Sequence, residues 1–127
     1  MPDLLRQLTE AASARGQVPI TLSAEGDKPL PAEVQVAVYR VAQEALNNIV
    51  KHAGASSAEV CYCRGETGVE LRIEDDGRGF DPQQVSSDHL GLGIMGERAE
   101  SAEASLRVTS APGAGTELLL TWVDQRS

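Results

Sequence analysis

This chain has few aromatics, few cysteines and a shortage of positive charge. Aromatic residues make up only 3% of its 127 residues, so a core must be built from Ala, Val, Leu and Ile. No apolar run approaches the ~20 residues of a membrane span, and the start, Met1-Pro-Asp-Leu-Leu-Arg6, lacks signal-peptide character. A soluble, cytosolic domain is expected, one that could be a piece of a larger protein. The net charge of −8 argues against a general nucleic-acid-binding or anionic-membrane surface. It does not exclude a small anionic ligand held by a local patch. The two cysteines, Cys61 and Cys63, share one face of a strand and are poorly placed for a mutual disulfide. Two such ligands with no nearby partner do not make a zinc site.

The length suggests one domain, able to bury roughly two thirds of its unfolded surface. Asp3 to Ala14 has helical spacing, with Leu4, Leu5 and Leu8 on one face and Gly16 as a stop. Val18 to Ser23 alternates weakly as a strand, and Glu25 to Pro29 is a turn. Pro31 sits where a helix start tolerates it. Ala32 to His52 is the longest periodic segment, with Val34, Val38, Val41, Ala45 and Ile49 on one side and Gly54 as its stop. Ser57 to Arg64 and Val69 to Glu74 flank Gly65-Glu-Thr-Gly68 as a hairpin. Asp75 to His89 reads as a long loop, of a length that is often functional. Leu92 to Ala104 reads as a helix, and Ser105 to Ser110 with Glu117 to Val123 as a second hairpin. The expected fold is α+β: three helices on one face of a mostly antiparallel sheet.

Four clusters carry possible chemistry. Glu44, Asn48 and Lys51 are spaced i, i+4, i+7, one polar stripe expected roughly opposite the Val38/Ile49 face. Carboxylate, amide and ammonium in a row suit a hard cation bound with phosphate; an ordinary solvated helix face has the same look. Asp75-Asp-Gly77-Arg-Gly79 follows a strand, so a carboxylate can face a ligand while glycine backbone approaches it closely. Asp-Gly is also a hairpin signal, but a polar loop follows here and not a partner strand. Gly91-Leu92-Gly93-Ile-Met-Gly96 matches G-x-G-x-x-G but has no preceding strand or βαβ unit, which argues against a dinucleotide fold. A Gly-rich loop opening a helix can still hold phosphate. Gly113-Ala-Gly115-Thr116 alone would be a hairpin turn.

In this order and spacing the clusters resemble the N, G1, G2 and G3 boxes of the GHKL ATPases, from about Val18 to Val123. That superfamily includes DNA gyrase B, Hsp90, MutL and the catalytic domains of sensor histidine kinases. Arg40 to Asn48 and Lys51-His52-Ala53 resemble kinases that pair with LuxR/NarL-type response regulators, and Asp88 to Ala99 is most like the nitrate/nitrite (NarX-type) sensors. Gly96 departs from the arginine usual in related kinases, and Gly93-Ile94 from the more common Arg-Gly.

The resemblance implies a Bergerat fold, a two-layer α/β sandwich that binds ATP and Mg²⁺. Asn48 would ligate the metal, and Lys51 and His52 would approach the phosphates. Asp75 would accept a hydrogen bond from the adenine amino group, with Gly77, Gly79 and Thr116 beside the base. Gly91, Leu92 and Gly93 would cover the phosphates together with a lid from Arg78 to His89. Glu44 would be catalytic or metal-supporting, and Asn48 catalytic as well. Neither His52 nor His89 sits in a phospho-acceptor context, so the acceptor would lie on a separate dimerising hairpin. Residues 1–16 would be the linker helix from that hairpin and 17–127 the ATPase domain. The fragment would be monomeric, its parent a homodimeric, membrane-anchored sensor relaying phosphate to a response-regulator aspartate. Other readings are a free-standing anti-sigma-factor serine kinase of the same fold, a non-catalytic nucleotide-binding module, and a gyrase-like clamp, for which the chain lacks room.

Overall fold

The computed structural model describes residues 1–81 and 91–124. Its elements are α1 (Pro2–Gly16), β1 (Ile20–Glu25), α2 (Ala32–Asn48) continued by a π-helical turn (Ile49–Ala53), β2 (Ala58–Arg64), β3 (Gly68–Asp75), α3 (Leu92–Ser101), β4 (Ser105–Ser110) and β5 (Thr116–Val123). The five strands form one sheet in the order β1-β2-β3-β5-β4. Only the β1–β2 pair is parallel. This is the α+β sandwich expected from the alternation of helical and strand periods.

Strand alternation decides which face is covered. Val60, Ile73, Leu118 and Val108 lie in one cross-strand row, and Tyr62, Leu71, Leu120 and Leu106 in the next. Both rows meet Val34, Val38, Val41, Ala45, Leu46 and Met95 in a single core. Cys61 and Cys63 point to the other face and are free thiols. Helix α1 joins the same core through fully buried Leu5 and through Ala12.

One buried charge braces the far end of the sheet. Arg64, at the end of β2, donates to the carbonyls of Lys28, Pro29, Gly65 and Gly68 at 3.0–3.3 Å, with its guanidinium over the Trp122 ring. Carbonyl dipoles stand in for a carboxylate, which is how a buried cation avoids being left uncompensated.

The long helix departs from expectation at its end. It is α-helical only to Asn48 and then makes a π turn before Gly54 closes it at φ +59°. In a continued α-helix His52 would fall at the centre of the Val34–Ile49 face and enter the core. The inserted residue of a π turn carries it about a quarter turn away, and both Lys51 and His52 are exposed.

Candidate functional site

A cleft of about 320 Å³ opens between the end of α2, the π turn, the adjoining ends of β3 and β5, and the start of α3. It is lined by Asn48, Lys51, His52, Asp75, Gly79, Leu92 and Thr116 among the residues expected at the site. The polar stripe on α2 is not opposite the apolar face. At 100° per residue the two are centred only about 90° apart, so Ala45 and Ile49 share the cleft with Asn48 and Lys51. That adjacency gives one cavity both an apolar slot and a polar rim.

Asp75 ends β3 and faces the cleft half-buried. Its Oδ1 accepts the Gly77 N–H at 2.8 Å, which fixes the carboxylate plane. Burial pushes its pKa above the ordinary carboxylate value; the Gly77 bond works against this, and the neighbouring Asp76 charge adds to it. Ile73, Leu118, Val108 and Met95 form the apolar walls. A carboxylate at the end of such a slot can select a flat heterocycle carrying an amino group.

The turn after Asp75 is stitched to the β4–β5 hairpin. Phe80 N–H donates to Ser110 Oγ at 2.9 Å, Ser110 Oγ donates to the Gly115 carbonyl at 2.9 Å and also lies 2.9 Å from Thr116 Oγ1. Gly113 N–H donates to the Arg78 carbonyl at 2.6 Å. Gly79 allows this approach: at φ +63°, an added Cβ would lie 2.1 Å from the Ala111 carbonyl oxygen. Only glycine combines that φ with that closeness.

Gly77, Gly91, Gly93 and Glu44 stand outside the cleft lining. Gly77 is buried behind Asp75 and acts through its N–H. Gly93 lies in the first turn of α3. Glu44 packs on Gly91, the N-cap of α3, where φ is +70° and an added Cβ would fall 2.2 Å from the carboxylate oxygen. A carboxylate there suits the positive end of a helix. Of the expected lid from Arg78 to His89, Arg78, Gly79 and Phe80 line the cleft, and the part beyond Asp81, with His89, lies outside the described residues.

Sequence reading assigns no individual role to Ser110, Asp76, Phe80 or Met95, and assigns Arg78 one only as the start of the lid. Arg78 stands inside the Asp75–Gly79 cluster and Phe80 directly after it, and both line the cleft with Met95, so their place near Asp75 was a usable signal. Ser110 gives no such signal, because its role arises from the register that sets it opposite Thr116.

Among the described residues no cluster of three His, Cys, Asp or Glu could hold a metal by itself. An amide ligand such as Asn48 fits a cation that arrives with phosphate. Mg²⁺ keeps several waters and takes few protein ligands beside phosphate oxygens.

Comparison with known proteins agrees with this geometry. Residues 33–126 match the model of the histidine kinase-, DNA gyrase B- and HSP90-like ATPases. The chain is 29% identical over 119 residues to the nitrate/nitrite sensor protein NarX of Escherichia coli, covering 93% of this chain and 20% of NarX. It is 38% identical over 119 residues to the sensor histidine kinase YhcY of Bacillus subtilis, covering 91% of this chain and 31% of YhcY. The chain thus spans between a fifth and a third of these two relatives. The blue-light activated histidine kinase of Erythrobacter litoralis has the same fold, with a TM-score of 0.79 at 20% identity over 98% of this chain and 45% of that one. The mycobacterial sensor histidine kinase MprB has a TM-score of 0.71 at 19% identity, covering 95% of this chain and 92% of that one. The chain belongs to the histidine kinase-, DNA gyrase B- and HSP90-like ATPase family, and the relatives it resembles are sensor histidine kinases.

Proposed function

We propose that this chain is the ATP-binding catalytic domain of a sensor histidine kinase of the NarX type. The carrying observation is the half-buried Asp75 carboxylate, oriented by Gly77 in a cleft that Asn48, Lys51 and His52 also line. Asp75 accepts a hydrogen bond from the adenine amino group, and Thr116 sits beside the base. Gly79 brings backbone against it. Lys51 and His52 meet the phosphates, with Gly91, Leu92 and Gly93 at the phosphate side. Asn48 is the protein ligand to Mg²⁺, which when bound neutralises phosphate charge. Glu44 supports this end from behind, through Gly91.

The phosphoryl acceptor is a histidine on a separate helical hairpin, continuous with α1. Its ring nitrogen forms the new bond to the γ-phosphorus as the bond to the β,γ-bridging oxygen breaks and ADP leaves. A response-regulator aspartate of the LuxR/NarL-type partner then takes the phosphoryl group. This domain supplies positioning and charge neutralisation, the main protein levers in phosphoryl transfer. No helix among the described residues is long and apolar enough to cross a membrane. We place the domain on the cytoplasmic side, where ATP is available, within a homodimeric parent whose dimer contacts come from the hairpin.

The test is Asn48→Ala. With this chain alone, the gain in ATP affinity on adding Mg²⁺ disappears. In the full-length kinase, phosphorylation falls by at least about a hundredfold, as expected when a group acting on transition-state charge is removed. Phosphorylation at the wild-type rate would overturn the assignment.

A further inference from the structure

We infer that Asp76 is a positioning residue that holds the phosphate end of the cleft in register with the base end. The inference rests on the nucleotide reading above and adds a residue to it.

Asp75 and Asp76 are adjacent carboxylates with opposite duties. Asp75 lines the cleft, whereas Asp76 does not. The Asp76 side chain turns instead to the connection that follows the π turn. Its Oδ1 accepts the Ser56 N–H at 2.8 Å and the Ser57 N–H at 3.1 Å, and its own N–H approaches the Ser57 carbonyl at 3.4 Å. The Arg78 side chain closes over the same connection, at Gly54. Thus two residues of the turn that carries Asp75 hold Gly54, Ser56 and Ser57 of the connection after Ala53.

That connection needs such a grip. A π turn leaves helix-end groups without regular partners, and Gly54 in the left-handed region begins an irregular stretch of exposed or half-exposed residues. Lys51 and His52 stand immediately before it. Hydrogen bonds from N–H groups to an ionised carboxylate are among the stronger ones, and they hold the Asp76 carboxyl below the ordinary carboxylate range. The grip is therefore present throughout the neutral range. Its geometric effect is to fix the distance between the residues assigned to the base and those assigned to the phosphates.

The experiment compares wild type, Asp76→Asn and Asp76→Ala, each titrated calorimetrically with adenosine, ADP and ATP. An asparagine oxygen can still accept both N–H bonds, so Asp76→Asn should bind all three ligands within about threefold of wild type, the loss being only the charge assistance. Asp76→Ala should bind ADP and ATP about tenfold more weakly, the loss typical of bonds to a charged group, with adenosine nearly unchanged. Equal weakening toward adenosine and ATP would overturn the inference, because the residue would then act on the fold or the base pocket. So would Asp76→Asn losing as much as Asp76→Ala, since charge and not the accepted bonds would be the cause. Wild type binding adenosine but gaining nothing from phosphates would overturn it while sparing the base site. Wild type binding none of the three would overturn the nucleotide reading and this inference together. Should Asp76→Ala fail to fold, wild-type amide exchange decides. The Ser56 and Ser57 amides should slow on ADP binding and not on adenosine binding, and equal slowing with both would contradict the inference.

Discussion

At the scale of single residues, the Asp75-Asp76 pair shows how one strand end serves two sites with the same chemistry. Burial raises the Asp75 pKa, and backbone donors lower that of Asp76. The sign for stability follows. A carboxyl whose folded pKa lies above its unfolded value favours folding fully below the unfolded value, and loses that favour as pH rises through the folded value. At pH 7 the ionised Asp75 therefore works against the fold. Asp75→Asn keeps the oxygen that accepts the Gly77 N–H and removes the charge. It should melt above wild type at pH 7, by no more than about 4 °C for a half-exposed group in a domain this size. The gap should close as pH falls through the carboxylate range, and a lower melting temperature at pH 7 would contradict the argument. That Asn48, Lys51, Asp75 and Thr116 meet in one cleft was legible from the order and spacing of their clusters. The sequence alone does not distinguish Asp76 from Asp75, because the direction of its side chain depends on where the 54–57 connection passes. Ser110 was illegible because a serine in a strand acquires a hub role only from cross-strand register.

At the scale of elements, the helices and strands appeared where apolar periodicity placed them, and the differences have local causes. Periodicity predicts one uniform helix to His52, since it cannot count an inserted residue. The π turn corrects the phase by about a quarter turn and brings His52 to the cleft instead of the core. Strand β1 begins two residues later than its alternation suggested and runs on to Glu25, because its pairing with β2 extends from Ile20↔Ala58 to Glu25↔Cys63. Helix α3 holds a glycine in its interior. An added Cβ at Gly96 would meet nothing within 4 Å, so the glycine is not required by packing. Gly96→Ala should stabilise the domain by about 0.5–1 kcal/mol, the helix-propensity difference, and leave adenosine affinity unchanged. Chemical denaturation measures the first and calorimetry the second; a destabilised variant would mean that α3 needs a flexible interior.

At the scale of the whole molecule, the sheet carries Asp75 and Thr116, the residues we assign to the base, on its central strands, and the helical layer carries Asn48 and Lys51, which we assign to the phosphates. Neither half makes the cleft alone: Asp75 and Thr116 face each other across the β3–β5 pair, while Asn48 and Lys51 belong to the helix lying over it. The acidic balance of −8 is compatible with an anionic ligand because Lys51 and Arg78 supply local positive charge at the cleft. The family match and the fold agree with a domain of this kind inside longer kinases. The most direct test is calorimetric titration of a non-hydrolysable ATP analogue into wild type and Asp75→Asn, with and without Mg²⁺. The account predicts binding in the micromolar to sub-millimolar range, about −5 to −8 kcal/mol, strengthened by Mg²⁺ and lost in Asp75→Asn while that variant stays folded. Equal affinity in the two proteins would contradict it, because the cleft would then bind nucleotide without its adenine-reading carboxylate.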